Sequence, residues 1–314
     1  MAQRGRASAG MRPVLCCAGW LDSLALINLH SRVLPTVNSI ADFRDFYARF
    51  IVKSSGSSDE RLISAFSSVA REDFVGEGPW PVFVGSGYIP TISNDPRLLY
   101  QDILIGLATD RGINNGQPSL HARCLAACAP RAGERVVHVG AGTGYYTAVL
   151  GNLVGTGGQV SAFETEADLA ARARDNLRRL PNVSVSCASG ANVVLAPCDV
   201  IYVNAGATHP LPTWLDALRI GGRLIFPLTS NEGLGCMLLV TRSAGERYAA
   251  SAVTRVAFIP CIGARDEATS KLIASALKNQ SLMSVRSLRR DNSPDETAWC
   301  AGSGWLLSTV GSVQ

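Results

Sequence analysis

Residues 135–154 read RVVHVGAGTGYYTAVLGNLV. The apolar run Val136–Val139 stops at Gly140, Gly142 and Gly144, and a helix-like run follows from Tyr145 to Val154. An apolar run of strand length, a glycine cluster and a helical stretch predict strand, tight turn and helix. Glycine at such places lets the backbone turn sharply and lets a ligand approach main-chain atoms closely. A purely structural turn would look the same, so the ligand depends on the surrounding residues.

The same alternation continues downstream. Strands are expected over Val160–Phe163, Val183–Ser186, Asp199–Val203 and Arg223–Pro227, with helices over Ala167–Leu180 and Pro212–Leu218. Further strands are expected at Cys236–Thr241 and Ala252–Ile259. This is the pattern of an α/β fold with a largely parallel, doubly wound sheet. Upstream, Ser39–Phe50 and Asp59–Val69 have helical spacing, and the SSGSSD linker between them supplies caps. Gly76–Pro96 has no regular period, and a helix starting on Pro118 runs to about Ala129. After Ile262 come a helix (Glu267–Leu277), a strand (Leu282–Arg289), a turn (Asp291–Asp295) and a strand (Thr297–Ser308). The last three read as a hairpin that extends or covers a sheet edge. Four regions result: a poorly ordered N-terminal extension (1–40), helices and loops (41–130), a nucleotide-binding core (131–263) and a C-terminal extension of helix plus hairpin (264–314).

Of the 314 residues 47% are hydrophobic, ample for a large core, and the net charge of +4 is too small to suggest a nucleic-acid binder. Arg172, Arg174, Arg178 and Arg179 share a helix with Asp168 and Asp175, which reads as a solvated face. The nine cysteines form no C-x-x-C pair, and Cys124 and Cys128 have no partners spaced to complete a metal site. Reduced thiols and a cytoplasmic location are expected, with no metal. Pro13–Ser31 is the nearest approach to a membrane span, but Asp22 in its middle costs about 2.5–3.5 kcal/mol in a bilayer, and Asn28 and His30 add to that. No membrane association is expected, and the oligomeric state is not readable.

The glycine spacing is G-x-G-x-G, with Tyr145 where the dinucleotide fingerprint G-x-G-x-x-G requires its third glycine. Glu164 falls at the end of the second strand, about 20 residues on, where a carboxylate accepts both hydroxyls of a ribose. As part of ETEADL it also reads as a helix-capping residue. NAD would use the missing glycine and the helix N-terminus for its pyrophosphate. S-adenosylmethionine has no phosphate, and its sulfonium suits aromatic faces such as Tyr145 or Tyr146, although either tyrosine equally suits the core. The broken fingerprint favours S-adenosylmethionine.

RLISAFSSVAREDFV (61–75), INNGQPSLHARCLAACAPRAGERVVHVGAGTGYYTAVL (113–150), VIYVNAGATHPLPTWLDALRIGGRLIFPL (200–228) and VAFIPCIG (256–263) occur in this order. Together, over Asp59–Gly263, the chain resembles the protein-L-isoaspartate O-methyltransferase family. The resemblance implies a Rossmann-like methyltransferase sheet. It also implies methylation, by S-adenosyl-L-methionine, of the carboxylate of isoaspartyl residues in damaged proteins; the ester then cyclises to a succinimide that can reopen to aspartate. It implies that Gly140, Ala141, Gly142 and Gly144 form the methionine-side turn, Glu164 holds the ribose, and Ala188-Ser189-Gly190 lie beside the adenine. Asn114–Pro118 would be the active-site loop, with Asn115, Gly116 and Gln117 at the reaction, and Asn204–Pro210, led by Asn204, would face it.

The chain departs from the family pattern at three places. His138 stands where the family has a strand acid, and is expected to be a buried core residue. Ser189 stands where the family has Asp. Gly116, in Asn114-Asn115-Gly116-Gln117-Pro118, stands where the family loop, Thr-Ile-Ser-Gln-Pro, has serine. The loop is expected to be remodelled around a different carboxylate or a more crowded peptide, with Gly116→Ser as the test. A carboxylate acceptor, with a reference pKa near ~4, is already a nucleophile at neutral pH and needs no general base. The candidate loops hold no acid–base pair, and His209 reads as a turn residue before Pro210. The expected function is an S-adenosylmethionine-dependent carboxyl O-methyltransferase acting on proteins or peptides that bear isoaspartate. The alternatives are a methyltransferase on another peptide or small molecule, and a non-catalytic S-adenosylmethionine-binding adaptor.

Overall fold

The computed structural model describes residues 39–311, so the extension expected over residues 1–40 lies almost wholly outside the described residues. Helix α1 (Ile40–Ser54) opens on Ser39, which forms a reciprocal capping box with Asp42. Helix α2 (Glu60–Ser68) is capped by Asp59, as the linker composition suggests. Two small antiparallel pairs follow: β1 (Pro81–Phe83) with β2 (Tyr88–Pro90), and β3 (Gly106–Ala108) with β4 (Ile113–Asn114). Strands this short show no period in sequence, which is why the stretch from Gly76 to Pro96 looks irregular. Helix α3 (Pro118–Cys128) starts on its proline, where the missing N–H leaves nothing unsatisfied.

The core then alternates through β5 (Arg135–Val139), α4 (Tyr145–Val154), β6 (Gln159–Glu164), α5 (Ala167–Leu177), β7 (Val183–Cys187), β8 (Cys198–Val203), α6 (Pro212–Ala217) and β9 (Leu218–Thr229). These strands pair in parallel in the order β7-β6-β5-β8-β9. The chain leaves β5 towards β6 and β7, then returns to the other side of β5 as β8. Open α/β sheets bind ligands at the carboxyl ends of the strands flanking such a reversal.

The rest of the ten-stranded sheet is antiparallel. It comprises β10 (Leu234–Ala244) and β11 (Arg247–Ala257), then, after α7 (Glu267–Asn279), β12 (Ser287–Arg289), β13 (Ala298–Gly302) and β14 (Trp305–Ser308). The order onwards from β9 is β10-β11-β12-β14-β13. The sheet is therefore mixed, with the parallel half carrying the glycine turn. Two details differ from expectation. Leu282–Ser284 is a short 3-10 turn ahead of β12, and the single strand expected over Thr297–Ser308 is itself a hairpin, turned at Gly304 with φ +75°.

Side chains along the parallel strands alternate between two cores, as strand geometry requires. Val136, Val160, Val200, Tyr202 and Ile225 pack with Tyr47, Phe66, Leu125 and Val149 of the first four helices. Val137, Val139, Ile201, Val203, Leu224 and Phe226 pack with Trp214 of α6 and Ile273 of α7. His138 shares the parity of Val136 and so faces the first group.

Candidate active site

A cavity of about 1120 Å³ opens at the carboxyl ends of β5, β6 and β8, and the 114–117 loop and the residues after β11 complete its wall. Gly140, Ala141, Gly142 and Thr143 of the glycine turn line it, whereas Gly144, expected with them, does not. Gly140, Gly142 and Gly144 have φ of +80°, +56° and +98°, conformations that side-chain-bearing residues rarely adopt. At Gly144 a β-carbon would also lie 2.7 Å from Leu177 Cδ1, so this glycine lets α4 start against α5.

Glu164, 7% exposed at the end of β6, accepts the N–H of Gly142 at 2.6 Å through one oxygen and that of Glu166 at 3.0 Å through the other. Burial raises its pKa, and the backbone donors pull the other way. Each oxygen keeps a lone pair that could accept a ribose hydroxyl. The helix-start alternative for Glu164 is present in the same contact, because Glu166 is the N-cap of α5.

Ala188, Ser189 and Gly190 line the cavity. The Ser189 hydroxyl donates to Ile262 O at 2.7 Å and accepts from Ala191 N at 3.2 Å, which leaves it one further acceptor position. Gly190 is a close approach, since a β-carbon there would lie 2.5 Å from Val139 Cγ2. Ala141, Asn204, Tyr145 and Tyr146 also line the cavity. Both tyrosines are buried, so they belong to the core and the cavity wall at once.

His138 is fully buried and satisfied. Nδ1 lies 2.8 Å from Thr147 Oγ1, and Nε2 accepts the Asn204 side-chain N–H at 2.8 Å. Burial pushes its pKa down to about 3, so the ring is neutral. Asn204 packs against Gly140 through its backbone and Cβ, and its Oδ1 is buried without a hydrogen-bond partner among the described residues.

The 114–117 loop is held by its own side chains. Asn114 Oδ1 accepts the N–H of Gly116 at 2.9 Å, and Asn114 Nδ2 donates to Tyr88 Oη at 3.2 Å. Asn115 exchanges two bonds with Ile105: its N–H donates to Ile105 O at 2.9 Å, and its Oδ1 accepts Ile105 N–H at 2.8 Å. Asn115 Nδ2 is buried with no partner among the described residues. Gly116 has φ +74°, and its carbonyl accepts from Tyr146 Oη at 3.3 Å. Gln117 is exposed, and its amide donates to Asp102 at 3.0 Å. Asp102 also accepts from the backbone and hydroxyl of Ser119, at 2.7 and 2.6 Å, and so caps α3 from a distant segment.

Sequence reasoning missed Asp102, which no local pattern marks, and His121, a single imidazole in the apolar spacing of α3. It also missed Arg123 and Arg255, exposed cavity residues with no ion pair among the described residues. His209 does not line the cavity; its ring is bonded to Thr208 Oγ1 at 3.0 Å.

The glycine turn, the Glu164 carboxylate and the orphaned Asn204 oxygen fit S-adenosylmethionine: close backbone approach, an acceptor for hydroxyls, and an acceptor for the ammonium. A parallel half-sheet carrying this turn at its switch point defines a Rossmann-like, S-adenosylmethionine-dependent methyltransferase. The family model described as Protein-L-isoaspartate(D-aspartate) O-methyltransferase matches residues 51–266. Protein-L-isoaspartate O-methyltransferase 1 of Geotalea uraniireducens is 30% identical over 235 residues, covering 74% of this chain and 98% of that protein. Protein-L-isoaspartate O-methyltransferase 2 of Marinobacter nauticus is 32% identical, covering 71% and 94%. A solved protein-L-isoaspartate O-methyltransferase superposes with a TM-score of 0.59 at 27% identity, covering 74% of this chain and 69% of that one. A β-aspartate methyltransferase of Plasmodium falciparum, crystallised with S-adenosyl-L-homocysteine, shares the fold at 18% identity, with a TM-score of 0.56 and coverage of 70% and 98%. The chain belongs to the protein-L-isoaspartate(D-aspartate) O-methyltransferase family. Among the described residues, no helix is long and apolar enough to cross a membrane.

Proposed function

We propose that the cavity methylates the carboxylate of L-isoaspartyl residues in damaged proteins, with the cofactor over the glycine turn and the acceptor against the 114–117 loop. The observation that carries this reading is that one cavity holds both Gly140–Thr143 of the glycine turn with Glu164 and the unpartnered Asn115 amide. S-adenosylmethionine, when bound, supplies a methyl group already activated by the sulfonium charge.

The chain's own residues then have four tasks. Gly140, Ala141 and Gly142 admit the methionine portion close to the backbone, Gly144 seats α4 behind them, and Asn204 Oδ1 accepts from the ammonium. Glu164 accepts the ribose hydroxyls, and Ser189 and Gly190 border the adenine. Asn115 Nδ2 donates to the acceptor carboxylate, while Gly116 leaves room for the His121 ring behind the loop and Gln117 holds the loop through Asp102. Arg123 and Arg255 at the rim draw an anionic acceptor in. No group is required to remove a proton, because a carboxylate is ionised at neutral pH. Positioning and exclusion of water are what remain for the protein. A cytoplasmic location suits the seven unpaired thiols among the described residues.

The test is purified protein with methyl-labelled S-adenosylmethionine, offered an isoaspartyl peptide and its normal aspartyl twin. Base-labile ester on the isoaspartyl peptide alone is expected. Cofactor binding without ester on either peptide would move the assignment to another acceptor.

A further inference from the structure

The hairpin of β3 and β4 runs along one wall of the cavity. Leu107, Arg111, Gly112 and Ile113 line it, and β4 leads straight into the 114–117 loop. The base of the hairpin is fixed. Ile105 is bonded to Asn115, forms a bridge with Val82, and follows Leu104, whose carbonyl accepts the Phe83 N–H at 3.0 Å. The tip, residues 109–112, is exposed and turns at Gly112 with φ +69°. Among the described residues, Arg111 makes the only hydrogen bonds from this tip to the rest of the chain. It donates to Glu166, and to the two oxygens of Asp168 at 2.9 and 2.7 Å. The segment it grips is the one that holds Glu164 in place, since the Glu166 N–H donates to the Glu164 carboxylate at 3.0 Å. Leu107 reaches the glycine turn as well, 3.4 Å from where a β-carbon on Gly142 would lie.

We propose that Arg111 is a positioning residue for the cofactor: its ion pairs with Glu166 and Asp168 latch the hairpin tip across the ribose side of the cavity, and cofactor exchange needs them broken. This rests on the cofactor side of the reading above, with the ribose on Glu164; the identity of the acceptor does not bear on it. The chemistry of the pair suits a latch. A guanidinium meets both oxygens of a carboxylate in one plane, which fixes the direction of approach as well as the distance. The hydrogen bonds from Arg111 hold the Asp168 carboxyl down at about 2, so both partners stay ionised at neutral pH. Exposed ion pairs contribute little net stability, because water and salt compete for each charge. A contact of that strength keeps the tip closed over a bound cofactor and still opens in every turnover.

The experiment follows release of labelled S-adenosylhomocysteine from the full chain after a chase with unlabelled compound. Wild type, Arg111→Met, Asp168→Asn and the double variant are compared at about 0.01 M and about 1 M salt, where charges are screened beyond ~30 and ~3 Å. At low salt Arg111→Met should release about threefold to tenfold faster than wild type, and Asp168→Asn about twofold to threefold faster. Adding Asp168→Asn to Arg111→Met should change nothing further, since the pair is already gone. High salt should bring wild type close to Arg111→Met and leave Arg111→Met itself nearly unchanged. A merely loosened fold would speed release at both salts alike, so this convergence is what marks a latch. Wild-type release from Arg111→Met at low salt, or a ratio of rates that salt does not alter, would overturn the inference while the cofactor site stands. Full S-adenosylhomocysteine affinity in Glu164→Ala would take the ribose off this wall, and the inference with it. Should Arg111→Met not fold, wild type and Asp168→Asn are compared across the same salt range. A difference that salt abolishes is expected, and equal rates at low salt would overturn the inference.

Discussion

The Glu164 carboxylate at the end of one strand is bonded at 2.6 Å to the amide of Gly142 in the turn that ends its neighbour. One side chain thereby shapes the turn and stands ready for a ligand. Glu164→Ala should weaken S-adenosylmethionine binding by about tenfold to a hundredfold, through both the lost acceptor and the loosened turn. Glu164→Gln should be nearly as damaging, because its NH2 must face one of two backbone N–H groups. Calorimetric titration reads both, and undiminished affinity in Glu164→Ala would remove the residue from the cofactor site.

Gly116→Ser looks in sequence like a simple restoration of the family loop. The structure makes it a strained change, for two reasons: φ is +74°, and the new β-carbon meets His121 Nε2. The variant should lose about 1–3 kcal/mol of stability. Adding His121→Val should return the steric part of that loss. Thermal unfolding of the single and double variants checks this, and a single variant as stable as wild type would contradict it.

Acid should destabilise the fold through its buried histidines. His121 and His138 both have pKa values pushed from 6.5 down to about 3 by burial. Below pH 6.5 the unfolded chain binds protons that the folded chain refuses, so stability falls as pH falls from 6.5 towards 3. Each ring contributes a slope of up to about 1.4 kcal/mol per pH unit and nothing above about pH 7. Glu164, with its raised pKa, works in the opposite sense. Urea unfolding at several pH values should therefore give a shallower acid slope in His138→Gln than in wild type.

Arg71 is fully buried and forms no ion pair among the described residues. It donates to the carbonyl oxygens of Leu99, Gln101 and Ile103, and its guanidinium lies 5.5 Å over the Tyr47 ring. These carbonyls precede Ile105, which holds Asn115. Arg71→Met should cost about 3 kcal/mol, and Arg71→Lys should not rescue it, since a point charge cannot serve three divergent carbonyls. Denaturant midpoints decide, and a stable lysine variant would count against the fork geometry.

The parts legible in sequence are those whose physics is local. The helix Tyr145–Val154 and the strands on either side of it follow from apolar period and glycine, and Ser39, Asp59 and Pro118 mark helix starts by cap chemistry. Other parts depend on contacts made across the fold. Nothing near residue 102 announces that it caps α3, and nothing near His121 shows that its ring fills the space beside Gly116. The direction of pairing of β10–β14 is likewise absent from composition. Gly302-Ser303-Gly304 is a turn signal inside the apolar stretch that reads as one strand, and it is where the hairpin turns.

The change of pairing direction at β9 also orders the chain's assembly in time. β9, β10 and β11 are joined by short turns and can pair as soon as they exist, whereas the parallel strands await crossovers and distant partners. Synthesis runs the other way: the slow half emerges first, and β9 has no neighbour on its outer side until β10 follows. During that interval β9 presents an apolar, open edge. Ribosome-bound chains stopped after residue 230 should accordingly be captured by chaperones far more readily than chains that include residue 260.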